Sequence, residues 1–539
     1  MNLRQVLLRT LCLAFALVVP VPSAMAAVAP ETIRDLAFGE GDVRAKAIAA
    51  IVASGDAAGL ALLQAVQAGD VKTVGEDRVL LIKGDEATDL LTGSAVKPLP
   101  DNLDDVVVNN RFRRELGTGI AALRLTSPER ATRLAAAKEL QTRADEDTLP
   151  AISTALSKES DPEIKGLLAL TQASVQLASK DPATRLDAVR ALALSDSGSV
   201  KTLLLALLER KNGVFVEQDA QLRAEAERSL ASVQQRLSTG EMIGRIFSGI
   251  SLGTILLLAA LGLAITYGLM GVINMAHGEL MMIGAYATYV VQNLFRAYAP
   301  GAFDAYLLCA IPAAFAVSAI VGMVLERTVI RWLYGRPLET LLATWGLSLI
   351  LIQAVRTIFG AQNVQVENPS WMSGGVEIMT NVVLPWSRIG IIIFAAGVLL
   401  LMWLLLSRTR LGLFVRAVTQ NRGMASSLGV PTARVDMLAF GLGSGIAGLA
   451  GCALSQIGNV GPDLGQSYIV DSFMVVVLGG VGQLAGTVYA ALGLGIVNKF
   501  LEAWQGAVLA KIVVLVFIII FIQKRPQGLF ALKGRTVEA

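Results

Sequence analysis

The sequence predicts an all-α polytopic membrane protein of about eight or nine transmembrane helices, preceded by an exported, mainly helical HEAT-like domain with a small β insert. Three observations carry that prediction. The 539-residue chain is 54% hydrophobic and only 17% charged, which is too apolar for an ordinary soluble enzyme. The apolarity is unevenly spread: residues 27–240 are dense in Arg, Asp, Glu and Lys, whereas residues 246–523 are mostly Leu, Ile, Val, Ala and Gly. The polar part also repeats itself at a fixed offset. The net charge of +3 averages two unlike halves and points to no nucleic-acid partner.

The organisation follows in chain order. Residues 1–26 read as a signal peptide, with Arg4 and Arg9 before an apolar run over 11–19 and a small-x-small site at Ala24-Met25-Ala26. That run is too short to span, since a spanning helix needs about 20 residues. Cleavage after Ala26 places residues 27–240 outside the cytoplasm. Of three cysteines, Cys12 lies in the leader and Cys309 and Cys452 lie in apolar segments. The exported region therefore folds without disulfides, and no metal site can be assembled from so few Cys and His ligands.

In the exported region "RLAAAKEL" at 133–140 matches "RLDAVRAL" at 185–192, and the same 52-residue offset aligns 148 onward with 200 onward. A weaker copy, "RAKAIAAI", occupies 44–51. Each unit has the apolar spacing of an amphipathic helix pair. Ser127-Pro128-Glu129, Asp161-Pro162-Glu163 and Asp181-Pro182 are expected to start helices, a capping oxygen followed by a proline whose missing N–H costs nothing there. Helix pairs that cannot bury their apolar faces alone stack, which predicts the solenoid. Between the first two copies, a β hairpin is expected around Gly84-Asp85. Solenoids present concave surfaces, so the region either docks a partner protein or is a passive folded appendage. No nucleophile–base pair or carboxylate set marks it as catalytic.

The membrane domain is placed at 241–525, with a cytoplasmic tail at 526–539. Apolar segments fall near 247–270, 279–299, 305–326, 338–358, 389–406, 436–458, 469–484, 486–501 and 508–523. Basic residues concentrate in three stretches: Arg327, Arg331 and Arg336; Arg408, Arg410, Arg416, Arg422 and Arg434; Lys524, Arg525, Lys533 and Arg535. The positive-inside rule makes these stretches and the C-terminus cytoplasmic. An exported N-terminal region then requires an odd number of spans, which nine satisfies.

Residues 443–448 formally match G-x-G-x-x-G, but they lie within a span and follow no strand, so a nucleotide fingerprint is excluded. Gly441 with Gly445, and Ser444 with Gly448, are small residues four apart, the spacing that lets membrane helices pack closely. The dipeptide Gly-Lys never occurs, so this chain has no Walker loop and binds no ATP in that manner. One basic stretch, residues 407–436, includes a short helix expected to end at Gly429, with Pro431 beyond. Arg416, Gln420 and Arg422 alternate there with Val415, Val418, Met424 and Leu428. It is either a charged anchor on lipid headgroups or a helix presenting apolar knobs to a cytoplasmic partner. His277, the single histidine, sits with Glu279 beside a spanning segment. Ionisable groups at membrane depth are expensive and functional by default, although both could equally cap backbone or pair with another span.

Four stretches in order make the chain resemble the permeases of branched-chain amino acid-type ABC transporters: "GLAITYGLMGVINMAHGELMMIGAY" (262–286), "RTRLGLFVRAVTQNRGMASSLGV" (408–430), "VVVLGGVGQLAGTVYAALGLGIVN" (475–498) and "RPQGLF" (525–530). The resemblance spans about 245–535. The second stretch resembles the cytoplasmic loop that couples to the ATPase. It departs from the general EAA pattern, with Gly423-Met424-Ala425 in its place and Gly429 kept. This makes Arg416, Gly423, Met424, Ala425, Leu428 and Gly429 the coupling candidates. An exported helical extension is similar to that of the urea-type permeases of this family. The resemblance implies an inner-membrane importer subunit that binds no cofactor itself. It would work with a second permease, two cytoplasmic ATPases that use ATP, and a periplasmic substrate-binding protein. Asn274, His277 and Glu279 become candidates for the translocation pathway or its support, Asn274 because its amide both donates and accepts. Branched-chain amino acids or short amides remain alternative substrates, and a passive urea channel or a membrane-anchored scaffold remain alternative classes.

Overall fold

The computed structural model describes residues 28–75, 77–84, 86–100, 102–271, 274–379 and 381–530. The expected signal peptide and most of the tail lie outside the described residues. The chain divides into two units, one ending at Leu237 and the other beginning at Ser238.

The first unit opens with α1 (Pro30–Phe38), α2 (Asp42–Ser54) and α3 (Ala57–Ala68), which pack with α4 (Asn110–Arg124) around Leu36, Ile51, Leu63 and Leu116. Five strands lie between α3 and α4: β1 (Val71–Val74), β2 (Arg78–Lys83), β3 (Glu86–Asp89), β4 (Ala95–Val96) and β5 (Asp104–Asp105). They form an antiparallel sheet in the order β4-β3-β2-β1-β5. The expected hairpin is therefore the β2–β3 part of a larger sheet, closed by Thr73 pairing with Asp104.

Next come α5 (Arg130–Arg143), α6 (Leu149–Lys158), α7 (Pro162–Gln176), α8 (Pro182–Leu192) and α9 (Gly198–Leu207). The two copies of the repeat start on α5 and α8. Asp161 accepts from the N–H groups of Glu163 and Ile164, and Asp181 from those of Ala183 and Thr184, with proline at the first turn of each helix. The third expected start differs. Ser127 caps no helix, because its hydroxyl accepts from Glu129 N and α5 begins only at Arg130. Arg133 and its repeat counterpart Arg185 each reach a carboxylate beyond the following helix, Glu159 and Glu217. A hairpin of β6 (Arg210–Lys211) and β7 (Val214–Phe215) precedes α10 (Ala220–Met270).

The second unit holds the rest of α10, then α11 (His277–Tyr298), α12 (Tyr306–Thr328) and α13 (Pro337–Phe359). A hairpin of β8 (Gly375–Met379) and β9 (Val382–Pro385) leads into α14 (Trp386–Arg408), α15 (Arg410–Gln420) and α16 (Arg422–Ser427). The chain ends in α17 (Thr432–Ser455), α18 (Leu464–Gly479), α19 (Leu484–Gln505) and α20 (Ala507–Lys524). Among the described residues, seven helices are long and apolar enough to cross a membrane. Of the nine expected spans, the two outside that set fall on α11 and α18. At about 1.5 Å per residue, the 16 residues of α18 are shorter than the roughly 30 Å apolar core of a bilayer. The 22 residues of α11 are long enough, but they carry polar groups and bury them against α12 and α17.

The centre of this unit is α17, whose small residues face α12. A Cβ on Gly441 would meet Met323, one on Gly445 would meet the Phe315 ring, and one on Gly448 would strike Ser318 Oγ. Ser444 stands opposite Gly322 at the same contact. All four small residues therefore hold one interface. In a solvent that gives no hydrophobic drive between helices, such close backbone approach supplies the dispersion contact that holds them together.

Candidate functional site

The segment from Asn274 to Leu280 connects to four other helices. Its route begins where Gly271, at φ +65°, turns the chain out of α10 in the left-handed conformation that glycine alone adopts without strain. Asn274, His277 and Glu279 are each at most 1% exposed. The Asn274 side-chain oxygen accepts from Ala276 N at 3.1 Å, which starts the turn into α11. His277 Nε2 lies 3.0 Å from the carbonyl oxygen of Ala259 in α10. A carbonyl only accepts, so Nε2 carries the proton. Glu279 Oε1 accepts from Ser348 Oγ of α13 at 2.9 Å. Met275 N donates to Thr344 Oγ1 of the same helix. Ser318 Oγ of α12 donates to Leu280 O at 3.0 Å. Backbone closes the fourth side: a Cβ at Gly278 would collide with Gly465 of α18, and one at Gly465 with Gly278.

Each of the three candidates also keeps one atom with no partner among the described residues. These are Asn274 Nδ2, His277 Nδ1 and Glu279 Oε2. A buried polar atom left unpaired carries a real desolvation cost, so the segment combines anchored atoms with uncommitted ones. Ser318, Thr344 and Ser348 were missed by the sequence reading. A signal for two of them existed, because Thr340, Thr344 and Ser348 recur every four residues along α13 and all are buried.

Beside this segment lies a recess of about 470 Å³ whose polar lining comes from Asn363, Arg388, Asn459, Asp463, Ser467, Tyr468 and Lys499. Its wall includes Leu464, the residue before the Gly465 that abuts Gly278. Arg356 Nη2 holds Asp463 at 2.7 Å.

The basic loop forms a separate group of candidates. Arg416 Nη1 donates to Leu406 O at 2.7 Å, tying α15 back to α14. Asn421 caps α16 by accepting from Met424 N. The helix ends with Val430 N bonded to Ala425 O and Gly429 N bonded to Ser426 O. This is a Schellman closure, and it requires the φ of +84° seen at Gly429. Ala425 points inward to Val418 and Val435. Met424 and Leu428 are 59% and 78% exposed, and Gly423 is exposed beside them. The apolar residues of the loop thus divide into an inward set and an outward pair.

Residues 245–522 match the family model described as branched-chain amino acid transport system / permease component. The chain is 28% identical over 291 residues to the high-affinity branched-chain amino acid transport system permease protein BraD of Pseudomonas aeruginosa, covering 53% of this chain and 94% of BraD. It is 29% identical over 293 residues to LivH of Escherichia coli K12, with the same coverage of each chain. The ribose import permease protein RbsC of the same organism is 28% identical over 206 residues, 36% of this chain and 61% of RbsC. No solved structure matches. The chain belongs to the branched-chain amino acid transport permease family.

Proposed function

We propose that this chain is the membrane-spanning subunit of an ATP-binding cassette importer that moves urea across the bacterial inner membrane. Membership of the family makes it a multi-pass permease of that membrane rather than an enzyme, and such importers work with ATPases and a binding protein. The observation carrying the urea reading is the set of uncommitted atoms in residues 274–279. Asn274 Nδ2 offers a donor to a carbonyl, while Glu279 Oε2 and His277 Nδ1 offer acceptors to amide N–H groups. Urea has one carbonyl and two amino groups, and crossing lipid strips water from all three. A path must replace those hydrogen bonds or lose several kcal/mol, roughly the cost of an unpaired buried amide. Branched-chain amino acids are the second reading, favoured by the names of BraD and LivH and by Arg388 in the recess, a cation suited to a carboxylate.

The topology follows from charge. With α11 and α18 carrying the chain across, nine crossings put Arg327–Arg336, Arg408–Arg434 and Lys524 on one side. Seven crossings would keep the first two stretches together and strand Lys524 on the other side. The nine-crossing arrangement makes the C-terminus cytoplasmic and the first unit periplasmic, where it would meet the delivery protein. A second permease and two ATPases complete the importer, and α16, with Met424 and Leu428 outward, is the part the ATPases push. ATP itself stays on those subunits.

Vesicles reconstituted with all subunits and the binding protein should take up labelled urea only when ATP is inside the ATPase compartment. Uptake of labelled leucine without urea would replace the substrate reading. Urea flux independent of ATP would replace the importer with a channel.

A further inference from the structure

The short exposed helix α16 is tied to the bundle by one arginine set between two buried carboxylates. Arg422, its first residue, donates from Nη2 to Asp436 Oδ2 in the first turns of α17. The Arg422 guanidinium carbon also lies 4.8 Å from the centre of the Tyr334 ring, within the range of a cation–π contact. The Tyr334 hydroxyl donates in turn to Glu326 Oε1 at 3.0 Å, in the last turn of α12. Thus a single side chain from the loop reaches the adjoining ends of α12 and α17, through the segment that leads into α13.

Exposure differs sharply along this chain of contacts. The Arg422 side chain is 45% exposed, whereas Asp436 and Glu326 are 1% and 2% exposed. Each carboxylate also keeps an oxygen without a partner among the described residues, Asp436 Oδ1 and Glu326 Oε2. Arg327 and Arg331 act on Glu326 at electrostatic range, while Asp436 depends on Arg422 for its ion pair. Withdrawing Arg422 would leave Asp436 a buried charge without its partner, which is far costlier than losing a surface ion pair. Movement of α16 therefore cannot be free of movement at the ends of α12 and α17.

Those helices lead to the site. From Glu326 to Ser318 is about 12 Å along α12 at 1.5 Å per residue, and Ser318 holds the Leu280 carbonyl. From Tyr334 the chain enters α13, whose Thr344 and Ser348 hold Met275 N and Glu279. We propose that Arg422 is a positioning residue that transmits displacement of α16 to the Asn274–Leu280 segment, through Asp436 on α17 and through Tyr334 and Glu326 on α12. The inference rests on the reading of α16 as the part that meets the ATPases.

The test uses the complete importer in vesicles, with labelled urea and labelled leucine run in parallel, and reads solute moved per ATP hydrolysed. Arg422→Gln should lower that ratio about tenfold while ATP hydrolysis by the partner subunits continues. Tyr334→Phe, which keeps the ring and removes the donor to Glu326, should lower it about threefold. Arg422→Gln with Asp436→Asn removes the orphaned charge without restoring the link. Membrane abundance should recover in that pair while the ratio stays low. A ratio that returns to normal in the double variant would mean that Arg422 only neutralises Asp436, and the proposal falls. An unchanged ratio in Arg422→Gln, with uptake and hydrolysis falling in step with abundance, overturns it as well. Leu428→Asp separates the two layers. If the ATPases still bind and respond normally in that variant, the reading of α16 fails and this inference with it. If Leu428→Asp releases them and Arg422→Gln keeps its ratio, only this inference fails.

Discussion

The two units treat polar groups in opposite ways. In the first, caps and pairs are largely closed. Asn109 accepts from Phe112 N, Asp145 and Thr148 form a reciprocal capping box, and Arg133 and Arg185 each find a carboxylate. In the second, polar groups are fewer and more deeply buried, and many are half-used. Of ten buried side-chain atoms left unpartnered among the described residues, nine belong to the second unit, and Arg44 Nε is the exception. Water offers replacement partners wherever a soluble domain falls short, so a missing bond there is cheap. In lipid every uncommitted atom keeps its full cost. Such atoms persist where something else recovers the cost, and residues 274–279 concentrate three of them.

The sharpest way to break that comparison is to remove one. Glu279→Ala deletes both the bond from Ser348 and the uncommitted oxygen. Labelled-urea uptake at matched membrane abundance, with all partner subunits present, should fall by about a hundredfold, equivalent to roughly 2.7 kcal/mol. His277→Gln should fall by less, about threefold to tenfold, because glutamine keeps a donor for the Ala259 carbonyl. Normal uptake in the Glu279 variant would mean that the leftover atoms are packing residue and carry no function. Equal losses would rank the histidine with the carboxylate.

The loop at 408–436 sharpens the comparison, because it lies in the second unit yet is built like the first. Asn421 and Gly429 close both ends of α16. A β-branched residue at the φ of +84° held by Gly429 is strained by roughly 1–3 kcal/mol. Gly429→Val should therefore reopen the last turn, turn Leu428 away and cut ATP-driven uptake about tenfold, while binding of substrate to the delivery protein is untouched. Uptake and substrate-stimulated ATP hydrolysis that both stay normal would favour a lipid anchor over a coupling helix.

What the sequence made legible follows the same division. Asp161-Pro162 and Asp181-Pro182 announced helix starts because capping is decided within four residues. Gly429 announced a helix end for the same local reason. Ser127-Pro128-Glu129 misled, since Ser127 can satisfy Glu129 N in a turn without starting the helix. The five-stranded sheet stayed hidden because Thr73 pairs with Asp104, thirty-one residues away, and two-residue strands have no periodicity to read. At the site, Asn274, His277 and Glu279 stood out as polar residues in apolar surroundings. Ala259 and Ser348, the partners of His277 and Glu279, did not, nor did Ser318, which holds Leu280, because helices that meet in three dimensions leave no trace in sequence spacing. The tie from Arg422 to Asp436 and Tyr334 was hidden for that reason too. As for the span count, hydropathy marks helices that face lipid, and α11 turns its polar residues to other helices.

The smallest expected effect lies in the first unit and tests whether its closed pairs behave as water-side pairs should. Arg133 Nε donates to Glu159 Oε2 at 2.8 Å, and the Glu159 side chain is only 5% exposed. Glu159 Oε1 also accepts from the backbone N–H groups of Ser160 and Asp161. The Arg133 guanidinium, followed by those N–H groups, holds the Glu159 carboxyl below the usual carboxylate range. A carboxyl whose folded value is depressed contributes stability that is complete above its unfolded value and is lost as pH falls through the folded one. Replacing Glu159 by Gln should therefore lower the temperature at which protease opens this unit by a few degrees at pH 7. The gap between wild type and variant should then close as pH is taken below about 4.5, because protonation leaves the native residue as neutral as its replacement. Asp161 and Asp181 titrate in both proteins and cancel in the difference. A gap that stays constant from pH 7 to pH 3 would show that Glu159 acts through shape and neutral hydrogen bonds, and the two units would then differ in packing rather than in charge.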